Sequence, residues 1–178
     1  MIFVTGEKHT GKTGLVLELM HQARAKGLHV AGIVCPGLWH NGRRAGFDLL
    51  EVDTGRRYVL SRRIQGLRPV PYMFDAEGVR KGKEALSVQR CRNANLVIVD
   101  EVGPLELKGG GWAQVLPGLL SLSKPVHIWV VRRSLIQAVQ DNFQVRPHVF
   151  EFESAHSLDQ VFEKIFIPRL VQNDKTHL

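Results

Sequence analysis

No run of apolar residues approaches the roughly 20 that a membrane-spanning helix needs, so the chain offers no helical membrane segment. Met1 leads straight into Ile2-Phe3-Val4, without a basic segment or a cleavage site, and no signal peptide is expected. Cysteine is scarce. Cys35 and Cys91 lie far apart and lack metal-ligand spacing, so they read as buried free thiols suited to a reducing cytoplasm. The eight histidines form no His-x-x-x-His pair and no cluster with cysteine, which argues against a zinc site. No Gly-x-Ser-x-Gly elbow marks a serine nucleophile. Internal repeats and low-complexity segments are also missing.

What is present fits an ordinary globular protein. The 178 residues, 44% hydrophobic and 23% charged, suit one domain with a real core. That domain is expected over residues 1–170, with a loose tail at 171–178. The net charge is +7, and its distribution matters more than its total. Arg43, Arg44, Arg56, Arg57, Arg62, Arg63 and Arg68 crowd one segment. They either steer a polyanion, such as a triphosphate or a nucleic acid, or form a solvated loop surface. Few aromatic residues interleave with them, which weakens a single-strand nucleic-acid reading.

Hydrophobic patterning predicts the order of elements. Residues 2–5 read as a short buried strand, 6–13 as a tight loop, and 14–26 as a helix carrying Leu15, Leu19 and Ala23 at helical spacing. Gly27 suits the C′ position of that helix. With a strand at 30–35, these residues make a βαβ unit. Residues 37–63 differ: Asn41-Gly42 and Asp53-Thr54-Gly55 are turns between short β-prone runs, which predicts an antiparallel hairpin extension. Alternation then resumes. Helices are expected at 76–93, 112–122 (bent near Pro117), 134–142 (capped by Ser134) and 157 to about 170. Strands are expected at 96–99, 126–131 and 149–152. The run Leu96-Val97-Ile98-Val99 is apolar at every position, as in a strand buried on both faces. Strands alternating with helices predict an α/β sheet covered on both sides.

Gly6-Glu7-Lys8-His9-Thr10-Gly11-Lys12-Thr13 fits the phosphate-binding loop pattern, and it lies where that pattern has meaning, between a strand and a helix. Glycines let backbone N–H groups turn inward toward phosphate oxygens. The start of the helix, Gly14 included, adds unpaired N–H groups and a positive dipole end. Lys12 is expected to reach the β- and γ-phosphates and the Thr13 hydroxyl to ligate Mg²⁺. Charged side chains at Glu7, Lys8 and His9 are the unusual feature, as phosphate contacts or as solvent-facing groups.

Leu96-Val97-Ile98-Val99-Asp100-Glu101 ends a hydrophobic strand in two carboxylates. Lying beside the phosphate-loop strand, it would bring Asp100 near the metal, directly or through water, and Glu101 to a water facing the γ-phosphate. Glu106 is a second candidate base or a structural ion partner. Gly109-Gly110-Gly111 makes a loop able to gate the site. Arg132 follows the strand at 126–131, at the carboxyl end where ligands of open α/β sheets collect, and is a candidate nucleotide contact.

Taken together, these blocks resemble the small P-loop nucleoside-triphosphatase family of the thermophile-phosphatase type, whose animal member is called cancer-related nucleoside-triphosphatase. The resemblance runs from Ile2 to about Arg133. It rests on the loop from Gly6 to Thr13, Gly42-Arg43-Arg44-Ala45-Gly46-Phe47-Asp48, Leu60-Ser61-Arg62, Val99-Asp100-Glu101-Val102-Gly103-Pro104-Leu105-Glu106-Leu107, Lys124-Pro125-Val126 and Arg132-Arg133. It departs from the family in the charged loop interior and in Cys35-Pro36-Gly37-Leu38-Trp39-His40. The resemblance implies a three-layer P-loop NTPase fold, with a mostly parallel sheet, helices on both faces and the hairpin extension. It also implies slow hydrolysis of ATP, GTP and other triphosphates, with loose base selectivity. It reads Arg44 and Arg43 as stabilisers of γ-phosphate charge or as hairpin ion partners, with Asp48 orienting one of them or holding the hairpin. Trp39 and Tyr72 either stack on a base or pack. Two other readings stay open. One is a nucleotide or nucleoside kinase. The other is a nucleotide-sensing adaptor that docks a protein partner through residues 35–40 and the basic hairpin.

Overall fold

The computed structural model describes residues 1–7, 10–64 and 72–153, together with Glu163, Ile167 and Pro168. Lys8, His9, Arg68, most of the helix expected at 157–170 and the tail at 171–178 lie outside the described residues.

The chain begins as β1 (Ile2–Thr5), α1 (Lys12–Ala25) and β2 (Val30–Val34). Leu15, Val16, Leu19, Met20 and Ala23 are the buried stripe of α1. The helix ends as expected at Gly27, where Gly27 N–H donates to the Arg24 carbonyl (2.9 Å) and Leu28 N–H to the Ala23 carbonyl (3.0 Å). The antiparallel extension follows: β3 (Gly37–His40), β4 (Arg43–Glu51), β5 (Arg57–Arg63) and β6 (Tyr72–Phe74). Asn41 and Gly42, at φ 49° and 70°, turn β3 into β4. Then come α2 (Ala76–Ala85), α3 (Val88–Cys91), β7 (Leu96–Val102), α4 (Pro104–Leu107), α5 (Leu116–Leu120), β8 (Val126–Val131), a 3₁₀ turn (Arg133–Leu135), α6 (Ile136–Phe143) and β9 (His148–Glu151).

The strands form one sheet in the order β6-β5-β4-β2-β7-β8-β1-β9, with β3 paired to β4. From β2 to β9 all neighbours are parallel, and β4 joins β2 antiparallel. Side-chain alternation splits the core in two. Ile2, Val4, Leu96, Ile98, Ile128 and Val130 pack with α1 on one face. Phe3, Val97, Val99, Trp129 and Val131 face the other way, toward Ala85, Cys91, Leu116 and Val139 on the remaining helices. No described helix is long and apolar enough to cross a membrane.

Four expectations are corrected. The strand carrying Asp100 is not beside the phosphate-loop strand, because β8 lies between them. All six residues of β8 are buried, and a run buried on both faces carries no local mark of its place in the order. The helix expected at 76–93 is two helices, because the Ser87 side chain caps α3 by accepting from Arg90 N–H (3.4 Å). Val88 is consequently exposed while Cys91 is buried. Helix α5 starts only at Leu116, which puts Pro117 in its first turn, where its missing N–H does no harm. Ser134 caps nothing. It sits inside the 3₁₀ turn that precedes α6.

Candidate active site

The carboxyl ends of β1, β2, β7 and β8 carry Gly6, Cys35, Asp100-Glu101 and Arg132, so the parallel register gathers them on one edge. Gly6 stands at φ 149°, and a Cβ there would meet the Phe152 carbonyl at 2.6 Å, so only glycine lets the chain leave β1 in this direction. Gly11 precedes α1 in a left-handed conformation, and no side chain caps the helix. The first N–H groups of α1, those of Lys12, Thr13 and Gly14, therefore face the loop. The Thr10 hydroxyl donates to the Glu7 carbonyl (2.9 Å) and braces the turn. The Lys12 ammonium donates to the carbonyls of Gly6 (2.9 Å) and Glu7 (2.5 Å), across the mouth of the loop. Burial pulls the Lys12 pKa down, and the charges of Glu101 and Asp100 oppose that pull.

Asp100 is only 2% exposed. Its carboxylate accepts from Cys35 N–H at 3.1 Å and has the Thr13 side chain as a hydrogen-bonding neighbour. Burial pushes its pKa up to about 7, against those two hydrogen bonds. One residue on, the ladder slips. Asp100 pairs with Val130 and Val102 with Val131, which leaves Glu101 out of register. Glu101 accepts from Arg132 Nε at 2.5 Å, in a half-exposed ion pair.

The extension supplies the opposite wall. Arg44, Phe47, Leu60 and Phe74 line one cleft with Thr13, Cys35, Asp100, Glu101 and Arg132. The Arg44 guanidinium sits 4.7 Å from the Trp39 ring centre and 4.9 Å from that of Phe47. Arg43 is exposed near the hairpin tip and is not part of the cleft. Asp48 orients neither. It bonds Arg62 at 3.0 Å and holds the hairpin. Glu106 also lines the cleft and is held there by backbone N–H groups. Its buried carboxylate accepts from Gly103 N–H (2.8 Å) and Trp112 N–H (3.4 Å), which ties down the segment after β7.

Outside the cleft, Arg133 pairs with Glu7 (3.3 Å) and with Glu151, linking the loop to the ends of β8 and β9. Trp39 packs over Arg44 and is still 55% exposed, while Tyr72 meets Phe47 edge to face at 5.5 Å. Sequence reasoning missed three things: the Cys35 N–H, the walls Phe47 and Phe74, and the Arg133 link. Only Cys35 had a signal, as the residue leaving the carboxyl end of β2.

The chain matches the NTPase family over residues 1–166. It is 30% identical over 166 residues to nucleoside-triphosphatase THEP1 of Methanopyrus kandleri, covering 92% of each chain. It is 31% identical over 176 residues to the protein of that name from Methanothermobacter thermautotrophicus, again over 92% of each. Two solved structures share its fold. A human cancer-related nucleoside triphosphatase superposes with TM-score 0.71 at 19% identity, over 94% of this chain and 96% of that one. THEP1 from Aquifex aeolicus gives 0.68 at 16% identity, over 94% and 98%.

Proposed function

The chain belongs to the NTPase family, and from that premise we propose that it hydrolyses the terminal phosphate of ATP, GTP and other nucleoside triphosphates with Mg²⁺, slowly and with loose base selectivity. One observation carries the reading. The Asp100-Glu101 strand end meets Lys12 and Thr13 of the phosphate loop, close enough for both carboxylates to act on the Lys12 ammonium and for Thr13 to touch Asp100. A phosphate loop alone supports only binding. A carboxylate pair opposite it supports attack by water.

The donor set fits Mg²⁺. Asp100 and Thr13 offer hard oxygen atoms side by side. Among the described residues no group of three or more His, Cys, Asp or Glu forms a protein cage. That suits an ion that takes one or two protein oxygens and completes its shell with phosphates and water. Asp100 and Thr13 would hold it, and once bound it neutralises charge on the β- and γ-phosphates. Backbone N–H groups from Gly6 to Gly14 cradle the phosphates. Lys12 leaves the Gly6 and Glu7 carbonyls for phosphate oxygens. Glu101 takes the proton of the attacking water, with Arg132 positioning its carboxylate. Arg44 meets negative charge developing on the transferred group. The two cysteines, free and buried, support a reducing, cytoplasmic setting.

The test is phosphate release from ATP and GTP by purified protein. Release is expected to need Mg²⁺, to stop with a chelator and to vanish in Lys12→Ala. Release without Mg²⁺, or release unchanged in Lys12→Ala, overturns the reading.

A further inference from the structure

The cleft beside Asp100 and Glu101 is larger and more apolar than attack by water requires. Its cavity volume is about 160 Å³, whereas one water needs roughly 10–15 Å³ on the same measure. Among the described residues of the phosphate loop, only Thr13 reaches its lining, so the space extends past the loop rather than into it. Phe47, Leu60, Phe74, Leu105 and Trp112 form its walls. Water gains nothing from such walls, whereas an organic ring does. Among the described residues two arginines line it, Arg44 and Arg132, and Arg132 is already paired with Glu101. Arg44 is held between the faces of Trp39 and Phe47, and its Nε is buried without a hydrogen-bond partner. No ion pair among the described residues engages it. A guanidinium oriented by flat faces, with donors left over, is built to receive an anion.

We propose that the cleft is an acceptor site for a ring-bearing organic anion. The ring lies against Phe47 and Phe74, and the phosphate or carboxylate lies on Arg44. An oxygen of that molecule takes the place of water at the γ-phosphorus. The inference rests on the hydrolytic reading, since both use the same bound triphosphate. In the transfer, the acceptor oxygen bonds to the γ-phosphorus as the bond from that phosphorus to the β,γ-bridging oxygen breaks. The electron pair of the broken bond leaves with the nucleoside diphosphate. The proton of a hydroxyl acceptor passes to Glu101. The Arg44 fork has donors for both the moving phosphoryl group and the acceptor's anion.

The experiment measures ADP and inorganic phosphate separately, from Mg-ATP and purified protein. One arm adds AMP, GMP, CMP or UMP, and the other adds salicylate or gallate. ADP in excess of phosphate is expected in one arm, with the phosphorylated acceptor seen by mass spectrometry, and that arm identifies the source of the anion. Leu105→Asn is expected to lower the acceptor-dependent rate on the order of tenfold and to leave the reaction with water unchanged. ADP equal to phosphate in both arms, with hydrolysis intact, overturns the acceptor site and leaves the hydrolytic reading standing. Absence of Mg²⁺-dependent ADP under every condition removes both.

Discussion

Glu101 and Arg44 reach the same cleft from different parts of the chain, and each makes a separable prediction. Glu101→Gln keeps the shape of the side chain and removes its basicity. It is expected to lower kcat by roughly 10²–10⁴ while nucleotide still binds, as a fluorescent analogue would report. A kcat within a factor of two of the parent would exclude Glu101 as the base. The adjacent arginines give an internal control. Arg44→Gln should lower kcat on the order of 10³-fold, whereas Arg43→Gln, at an exposed position outside the cleft, should leave it nearly unchanged. Equal losses in the two variants would show that hairpin charge matters rather than one placed guanidinium. Loss of the Glu101–Arg132 pair alone should barely move stability, because half-exposed ion pairs contribute at most about 1 kcal/mol.

Between elements, the site depends on how the extension is pressed against the parallel sheet. Helix α2 lies on β5 so closely that a Cβ at Gly78 would run into the Val59 carbonyl. Gly78→Ala should therefore destabilise the protein by roughly 1–3 kcal/mol, read as a lower urea midpoint. It should also lower kcat with Glu101 and Lys12 untouched, since β5 is the neighbour of the strand that carries Arg44. A stable Gly78→Ala protein with full activity would separate the helix contact from the site. The capping side chains matter less. Asp75 accepts from Gly78 N–H at 2.8 Å, and Asp75→Ala should cost about 1 kcal/mol. The element boundaries legible in the sequence were those with a local chemical signal, such as Gly27 after α1 and the Asn41-Gly42 turn. The Ser87 cap was equally local, but the apolar period running across it hid the break.

For the molecule as a whole, His127 makes stability depend on pH. It is buried on β8, and burial, aided by the positive chain terminus, pushes its pKa down to about 4. The unfolded chain binds this proton near pH 6.5. The unfolded state therefore holds more protons between those values, and stability falls as pH drops through that window. The loss amounts to roughly 3 kcal/mol once pH is below 4. Urea unfolding at several pH values should show the slope, and His127→Leu should flatten it. An unchanged slope in the variant would assign the acid sensitivity to other groups.

The sequence alone determined the parts whose physics is local. A glycine-bounded loop between an apolar strand and a helix specifies a phosphate cradle, because backbone N–H direction and the helix dipole act within a few residues. Fully apolar runs specify strands buried on both faces. Tertiary structure decided what depends on contacts far apart in the chain. It inserted β8 between β1 and β7, committed Glu106 to backbone N–H groups, and put Arg44 rather than Arg43 into the cleft. Two adjacent arginines are alike in sequence. A strand's alternation puts one into the cleft and leaves the other in solvent.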